Sequence, residues 1–488
     1  MTQSPTTRLY TRTSQASYTG YEYEICLSYT VIRRLNNMRI RNLLLLYTSV
    51  IGNLGYVYSQ NDAVANAQHT ILGQNSAQVG ISVPVTNEHP DAQWFPDAGL
   101  GLFIHLGIAS VHGGIDLSWS MYANKPWEDG EVTPTEYWKF ADLWNPVNFD
   151  AEEIVTKAKE TGFKYIVFTT KHHDGYTMWP SKYSTLGVKQ KLNGRDLVRE
   201  FTEACHQHGI KVGLYYSPPD WLFDAKYINW DYSGQKILDV NHHEIENLPK
   251  KPAGHDQKRR EIAANQIREL LTQYGRIDLF WFDGGNGEIS NAEVRELQPG
   301  IVINRRNGEP GDYADSEGTL PVKRFEGWFE TNDPCWPSRW WGYSTSDRMD
   351  TGADVIEKLV VLRAWGGNFL ANMGPMADGR IPQEALQAWT DMAAWMKHSG
   401  ESIYHVKGGN FPEKDNQPTT VKKDTTYVHV YPNFHKKVIV GDVKKAPRKA
   451  ILLRTGESIK FSFKDNHIEF QIPPSKRSRE VDTVRLTW

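Results

Sequence analysis

Cysteine is scarce in this chain: three residues in 488, Cys26, Cys205 and Cys335. No CxxC pair and no regular spacing joins them, so neither a cysteine zinc site nor a disulfide framework is implied. A single Cys205–Cys335 bridge stays open for an oxidising compartment. A basic excess is missing too. Lys plus Arg number 55 against 58 Asp plus Glu, a net charge of -3. A phosphate-binding surface needs the opposite balance, so nucleic acid is not the expected partner. No glycine-rich turn follows the first strand-like segment, which argues against a dinucleotide fold.

Long hydrophobic runs are also lacking. The basic stretch Met38-Arg39-Ile40-Arg41-Asn42 leads into an apolar run over 43–51, too short to span a bilayer comfortably. Its charge and length are those of a signal peptide. Residues 1–67 therefore read as a leader with a signal peptide over 38–67, cut at Ala65-Asn66-Ala67 or near Ser59-Gln60. The chain is expected to be secreted or periplasmic. No cysteine ends the apolar run, so no lipoprotein anchor is expected.

What is present is ample apolar material. Hydrophobic residues make up 39%, enough for real cores, and the length suits a large α/β barrel plus a smaller module. Trp, at 17, is plentiful; most of it fills cores, although flat rings also suit sugar faces. From about residue 95, apolar strands alternate with amphipathic helices. Gly101-Leu102-Phe103-Ile104-His105 reads as a strand. Asp150 opens a helix whose stripe is Ile154, Val155 and Ala158, stopped at Gly162. Tyr165-Ile166-Val167-Phe168 is a strand, and Leu197, Val198, Phe201 and Cys205 stripe a helix that stops at Gly209. Val212–Tyr216 and Ile277–Asp283 are further strands, and Asn368–Asn372 a late one. Near-continuous apolar strands between helices predict a parallel sheet. His105, His172, Asp283 and Arg305 fall at strand C-terminal ends, where a (β/α)8 barrel builds its active site. The barrel is placed at residues 90–405. Beyond 410 the pattern becomes short and alternating, as in Tyr427–Tyr431 and Ile468–Ile472, which predicts an antiparallel β-sandwich over 410–488.

Asp283 ends a run with five apolar residues in six and precedes Gly284-Gly285. A rigid strand would hold it at the barrel mouth, and the glycines leave room for a ring. Such a carboxylate suits nucleophilic attack at an anomeric carbon, with a second carboxyl group as acid and base. A loop-capping Asp is the equal alternative on residues alone. His172 and His173 are ambiguous. With Asp174 they could serve a metal-dependent hydrolase, yet adjacent strand residues face opposite ways. Binding sugar hydroxyls suits them as well, because a neutral imidazole both donates and accepts. No metal and no cofactor is expected.

Five blocks carry a resemblance: GLFIHLG at 101–107, TTKHHDGYTMWPS at 169–181, HGIKVGLYYSPPDW at 208–221, LFWFDGG at 279–285 and GGNFLANMGPMADGRIP at 366–382. In order and spacing they resemble the α-L-fucosidases of glycoside hydrolase family 29, over roughly residues 93–405. The resemblance implies an α/β barrel with a C-terminal β-sandwich and a retaining exo-α-L-fucosidase acting on fucosylated oligosaccharides or glycoconjugates. It makes Asp283 the nucleophile and Glu317 the acid/base, with Glu288, Glu326 and Glu330 as the other carboxylates in question. It places His105, His172, His173, Tyr216 and Arg305 in the fucose pocket, with Phe103 and Trp341 as the apolar seat of the C5 methyl. Burying that methyl is worth roughly 1 kcal/mol. Trp119 is kept from a Glu-Trp pair of the family, but Ser118 stands where Glu is expected. A lost charge-assisted hydrogen bond costs about 1.5–3 kcal/mol, which bears on the sugar and linkage, and leaves a related α-glycosidase, for instance for an α-L-galactoside, as the alternative.

Overall fold

The computed structural model describes residues 85–127, 130–318 and 326–488. The expected leader and signal peptide, with Cys26, lie outside them.

Eight parallel strands form one sheet: β1 (Leu100–Ile104), β2 (Tyr165–Lys171), β3 (Lys211–Tyr216), β4 (Leu279–Phe282), β5 (Val302–Ile303), β6 (Tyr313–Glu317), β7 (Trp328–Trp336) and β8 (Asn368–Met373). Their order is β5-β4-β3-β2-β1-β8-β7-β6. β5 and β6 meet only through the parallel bridge Asn304–Tyr313, which brings the ring nearly to closure. This is the (β/α)8-type barrel expected from the alternation.

Helices form where the local signals stand. Asp150 accepts from the Glu153 amide at 2.9 Å and starts Ala151–Thr161. Gly162, at φ 113°, ends it. Asp196 caps Leu197–His208 in the same way, and Gly209 at φ 67° closes it. The longest helix of the barrel, His255–Gln273, covers the sheet before β4.

The strands bury both faces, against two different cores. Leu102, Ile166, Leu214, Tyr216, Phe280 and Ile303 pack outward, in one cluster with helix residues such as Leu197, Ile267 and Leu359. Phe103, Tyr165, Val167, Tyr215, Trp281 and Tyr313 fill the barrel interior. Alternate residues of one strand therefore belong to different cores. Cys205 and Cys335 are buried and free, so the bridge left open above does not form.

After the barrel, a six-stranded antiparallel sheet faces a three-stranded one. Val428, Leu452 and Val484 of the first share a core with Val438, Ile468 and Phe470 of the second, as in a β-sandwich. The helix Gln383–Ser399 links the two parts, with the Trp395 indole donating to the Val481 carbonyl at 2.7 Å.

Candidate active site

Asp283 stands one residue past β4, at the C-terminal mouth of the barrel. Gly284 and Gly285 follow at φ 89° and 127°, a left-handed turn that sends the chain away from the carboxylate. The Tyr215 hydroxyl donates to Asp283 Oδ2 at 2.5 Å. Arg306 Nη1 donates to Oδ1 at 3.3 Å, and His173 Nε2 lies 3.4 Å from Oδ2. Burial pushes the carboxyl pKa up, but His173, the Arg306 guanidinium and the Tyr215 hydrogen bond together bring it below its ordinary value. Asp283 is an anion at neutral pH, as a nucleophile must be.

Glu317 ends β6 and pairs with the same Arg306 Nη1 that touches Asp283. Two such contacts end to end put one oxygen of Asp283 and one of Glu317 within roughly 6 Å of each other. The carboxyl groups of retaining glycosidases stand about 5–5.5 Å apart, those of inverting enzymes about 6.5–9.5 Å. The other carboxylates are placed elsewhere. Glu288 is almost fully buried beside Arg259, and accepts from the Asn286 amide. Glu326 is exposed. Glu330 lies inside the barrel, wholly inaccessible.

The three histidines gather near Asp283 from two strand ends, His105 just past β1 and His172 and His173 past β2, which ends at Lys171. Beyond it the chain no longer alternates, so His172 and His173 lie side by side at 4.3 Å. Each ring has one fixed nitrogen: His105 Nδ1 at 2.7 Å from Asn372 Oδ1, His172 Nδ1 at 2.6 Å from Ser118 Oγ, His173 Nδ1 at 2.5 Å from Ser217 Oγ. Burial pulls the pKa of His105 and of His173 to about 4, and that of His172 well below its ordinary value. All three are neutral at pH 7 and suit sugar hydroxyls. Ser118, where the resemblance leads one to expect Glu, orients His172 instead. Trp119 meets His173 edge-on at 5.6 Å, while Phe103 and Trp341 meet each other at 6.3 Å and both lean on His105.

Two pocket residues are displaced by one position. Tyr216 faces the helices and donates to Gln266 Oε1 at 2.7 Å; Tyr215 is the ring that reaches Asp283. Arg305 is held by Asp315, through its Oδ1 at 3.2 Å and its carbonyl at 2.7 Å; Arg306 bridges the two carboxylates. The metal reading also changes. Asp174 turns away, accepting from Tyr137 and the Tyr176 amide, both at 2.9 Å. It is Asp283 whose oxygen lies within 4.8 Å of the His172 and His173 ring nitrogens. A cation there would sit against the Arg306 guanidinium, an unfavourable place for it.

Tyr215→Phe should show which tyrosine serves Asp283. The lost hydrogen bond favours the anion, so its removal raises the Asp283 pKa and moves the acid limb of kcat/KM to higher pH. Tyr216→Phe should leave that limb in place. A pH–rate profile of both variants decides between them, and the reverse pattern contradicts the geometry.

A parallel barrel with two carboxylates at its C-terminal mouth has the parts that glycoside hydrolysis needs, and the family match makes the chain a glycoside hydrolase. More narrowly, the chain belongs to the α-L-fucosidase family, whose model matches residues 67–401. It is 27% identical over 366 residues to the alpha-L-fucosidase of Dictyostelium discoideum, covering 67% of this chain and 75% of that protein. Among solved structures, alpha-L-fucosidase isoenzyme 1 from Paenibacillus thiaminolyticus superposes with a TM-score of 0.70 at 28% identity, covering 82% of this chain and 98% of that one. A family 29 alpha-L-fucosidase from Bacteroides thetaiotaomicron, trapped as a covalent intermediate with 2-fluoro-fucosyl fluoride, superposes with a TM-score of 0.68 at 28% identity, covering 84% and 98%.

Proposed function

We propose that this chain is a retaining exo-α-L-fucosidase that removes terminal α-L-fucosyl residues from fucosylated glycans, with Asp283 as nucleophile and Glu317 as acid/base. The observation that carries it is the shared Arg306 Nη1, which keeps the two carboxylates within the span of a double displacement. In the first step Asp283 attacks the anomeric carbon while Glu317 protonates the departing oxygen. In the second, water attacks the anomeric carbon as Glu317 takes its proton, the bond to Asp283 breaks, and fucose leaves with its configuration kept. His105, His172 and His173 would bind the ring hydroxyls.

The test is hydrolysis of a panel of fucosylated oligosaccharides of differing linkage, with the first-formed anomer read by NMR. Appearance of the β anomer first overturns the double displacement. Ser118 motivates a second sugar in the same screen, the aryl α-L-galactoside, since a small hydroxyl replaces the expected carboxylate. Faster turnover of that sugar would displace fucose as the preferred substrate.

Glu317→Ala should separate leaving groups. Activated aryl fucosides need little proton donation, so their kcat/KM falls by less than about tenfold. Oligosaccharides lose the general acid and fall by about 10²–10⁴-fold. Equal losses on both substrates would assign the acid/base role elsewhere. The basic and apolar segment over 38–51 supports export to the periplasm or medium; N-terminal sequencing of exported protein checks it.

A further inference from the structure

One carboxyl group in the barrel is used by neither step. Glu330 is the third residue of β7, points into the barrel interior and is fully inaccessible. Its Oε2 accepts from the Tyr165 hydroxyl at 2.5 Å, and its Oε1 from the Trp281 indole at 3.2 Å. The Tyr165 ring is locked over Gly101, where a Cβ would come within 2.2 Å of it. Trp281, two residues before Asp283, carries two groups of the site. Tyr215 stacks on it at 5.6 Å and 19°, and the Arg306 guanidinium lies over it at 4.6 Å from the centroid. Both of them hold Asp283, beside His173, and Arg306 also holds Glu317.

We infer that Glu330 is a positioning residue, which fixes the Trp281 indole from below and thereby sets where Tyr215 and Arg306 meet Asp283. The inference rests on Asp283 being the nucleophile. An indole has one N–H, so one acceptor decides how the ring is turned in its plane. An off-position of a few tenths of an ångström at the indole is passed to both groups stacked on it, because the interior is close-packed.

Glu330 also gives this support a dependence on pH. Burial raises its pKa to about 7, with Asp315 adding to the rise, against the hydrogen bonds from Tyr165 and Trp281. The groups facing it are Tyr165 from β2, Trp281 from β4, and Tyr313 and Asp315 from β6. Asp315 is tied to Arg305 and Arg306, and the Arg363 charge acts on Tyr165. Once ionised, Glu330 is an additional anion beneath Asp283, and it draws Arg306 toward the barrel floor. Activity should therefore decline as pH rises through about 7.

The experiment is the pH profile of kcat/KM for an activated aryl α-L-fucoside, whose departure does not need the proton of Glu317. In the wild type it should fall through pH 7. In Glu330→Gln, which keeps an acceptor but cannot ionise, it should stay flat through the same interval. Trp281→Phe, which loses the N–H, should lower kcat about tenfold with KM within about twofold. The double variant should be no worse than Trp281→Phe alone. A Glu330→Gln profile superimposable on the wild type overturns the inference, as does a Trp281→Phe kcat equal to wild type; thermal midpoints of both variants confirm that each is folded. Failure of the underlying reading looks different: Asp283→Ala would then retain turnover whatever Glu330 does.

Discussion

Asp283→Ala is expected to lower kcat on 4-nitrophenyl α-L-fucoside by about 10⁴-fold or more, with the fold intact. The size follows from the step removed. Without the carboxylate no covalent intermediate forms, and what remains is binding and the surrounding dipoles. The fold should survive because the groups around Asp283 keep other partners. Arg306 stays paired with Asp315 and Glu317, and the His173 ring stays anchored on Ser217. The space left by the side chain suits a small anion beside a guanidinium. Azide should therefore restore turnover of an activated fucoside and give the fucosyl azide of inverted configuration. An inverted azide product would fix Asp283 as the nucleophile chemically. Turnover at the wild-type rate in the variant removes it from the mechanism, and family membership would then have to be served by another carboxylate.

Much of this arrangement was legible in the sequence, and the miss within a strand has a physical cause. The caps at Asp150 and Asp196 and the stops at Gly162 and Gly209 are local features, and all four act as read. Asp283 was visible because glycines mark the strand end. Tyr216 and Arg305 were each one residue off, and in both cases the true contact is the neighbour. In a half-exposed strand, polar residues show which side faces out. In β3 both sides are buried, one against helices and one inside the barrel, so apolarity is continuous and carries no phase. The phase could have been taken from Asp283. A residue two positions before it, Trp281, shares its face, and Trp281 pairs in register with Tyr215. That register belongs to the folded sheet and is not written in either strand. The adjacent histidines show the same limit from the other side: the rule of opposite faces holds within β2 and stops at Lys171.

Arg306→Leu is expected to damage both stability and activity, more than any other pocket substitution outside Asp283. Arg306 is almost fully buried and contacts Asp283, Asp315 and Glu317 at once, while its plane rests on Trp281. Its removal strips the buried Asp283 of its guanidinium, while Asp315 keeps Arg305; breaking such a buried pair costs about 3–5 kcal/mol and should appear as a lower urea midpoint at pH 7. The sign with pH is fixed by Asp283. Its pKa is depressed in the folded state partly by Arg306, so this contribution to stability is present above the ordinary carboxylate range and is lost as pH falls through the folded value. The gap between variant and wild type should therefore narrow on acidification. Activity has a separate dependence. Arg306→Lys keeps a positive charge on one nitrogen, but it lacks the second nitrogen that holds Asp315 and the planar face set over the Trp281 indole. It should recover part of the stability and little of the kcat. If Arg306→Lys were as active as wild type, charge alone would be what the site needs. The second nitrogen on Asp315 and the planar face over Trp281 would then have no role in placing the shared nitrogen between Asp283 and Glu317.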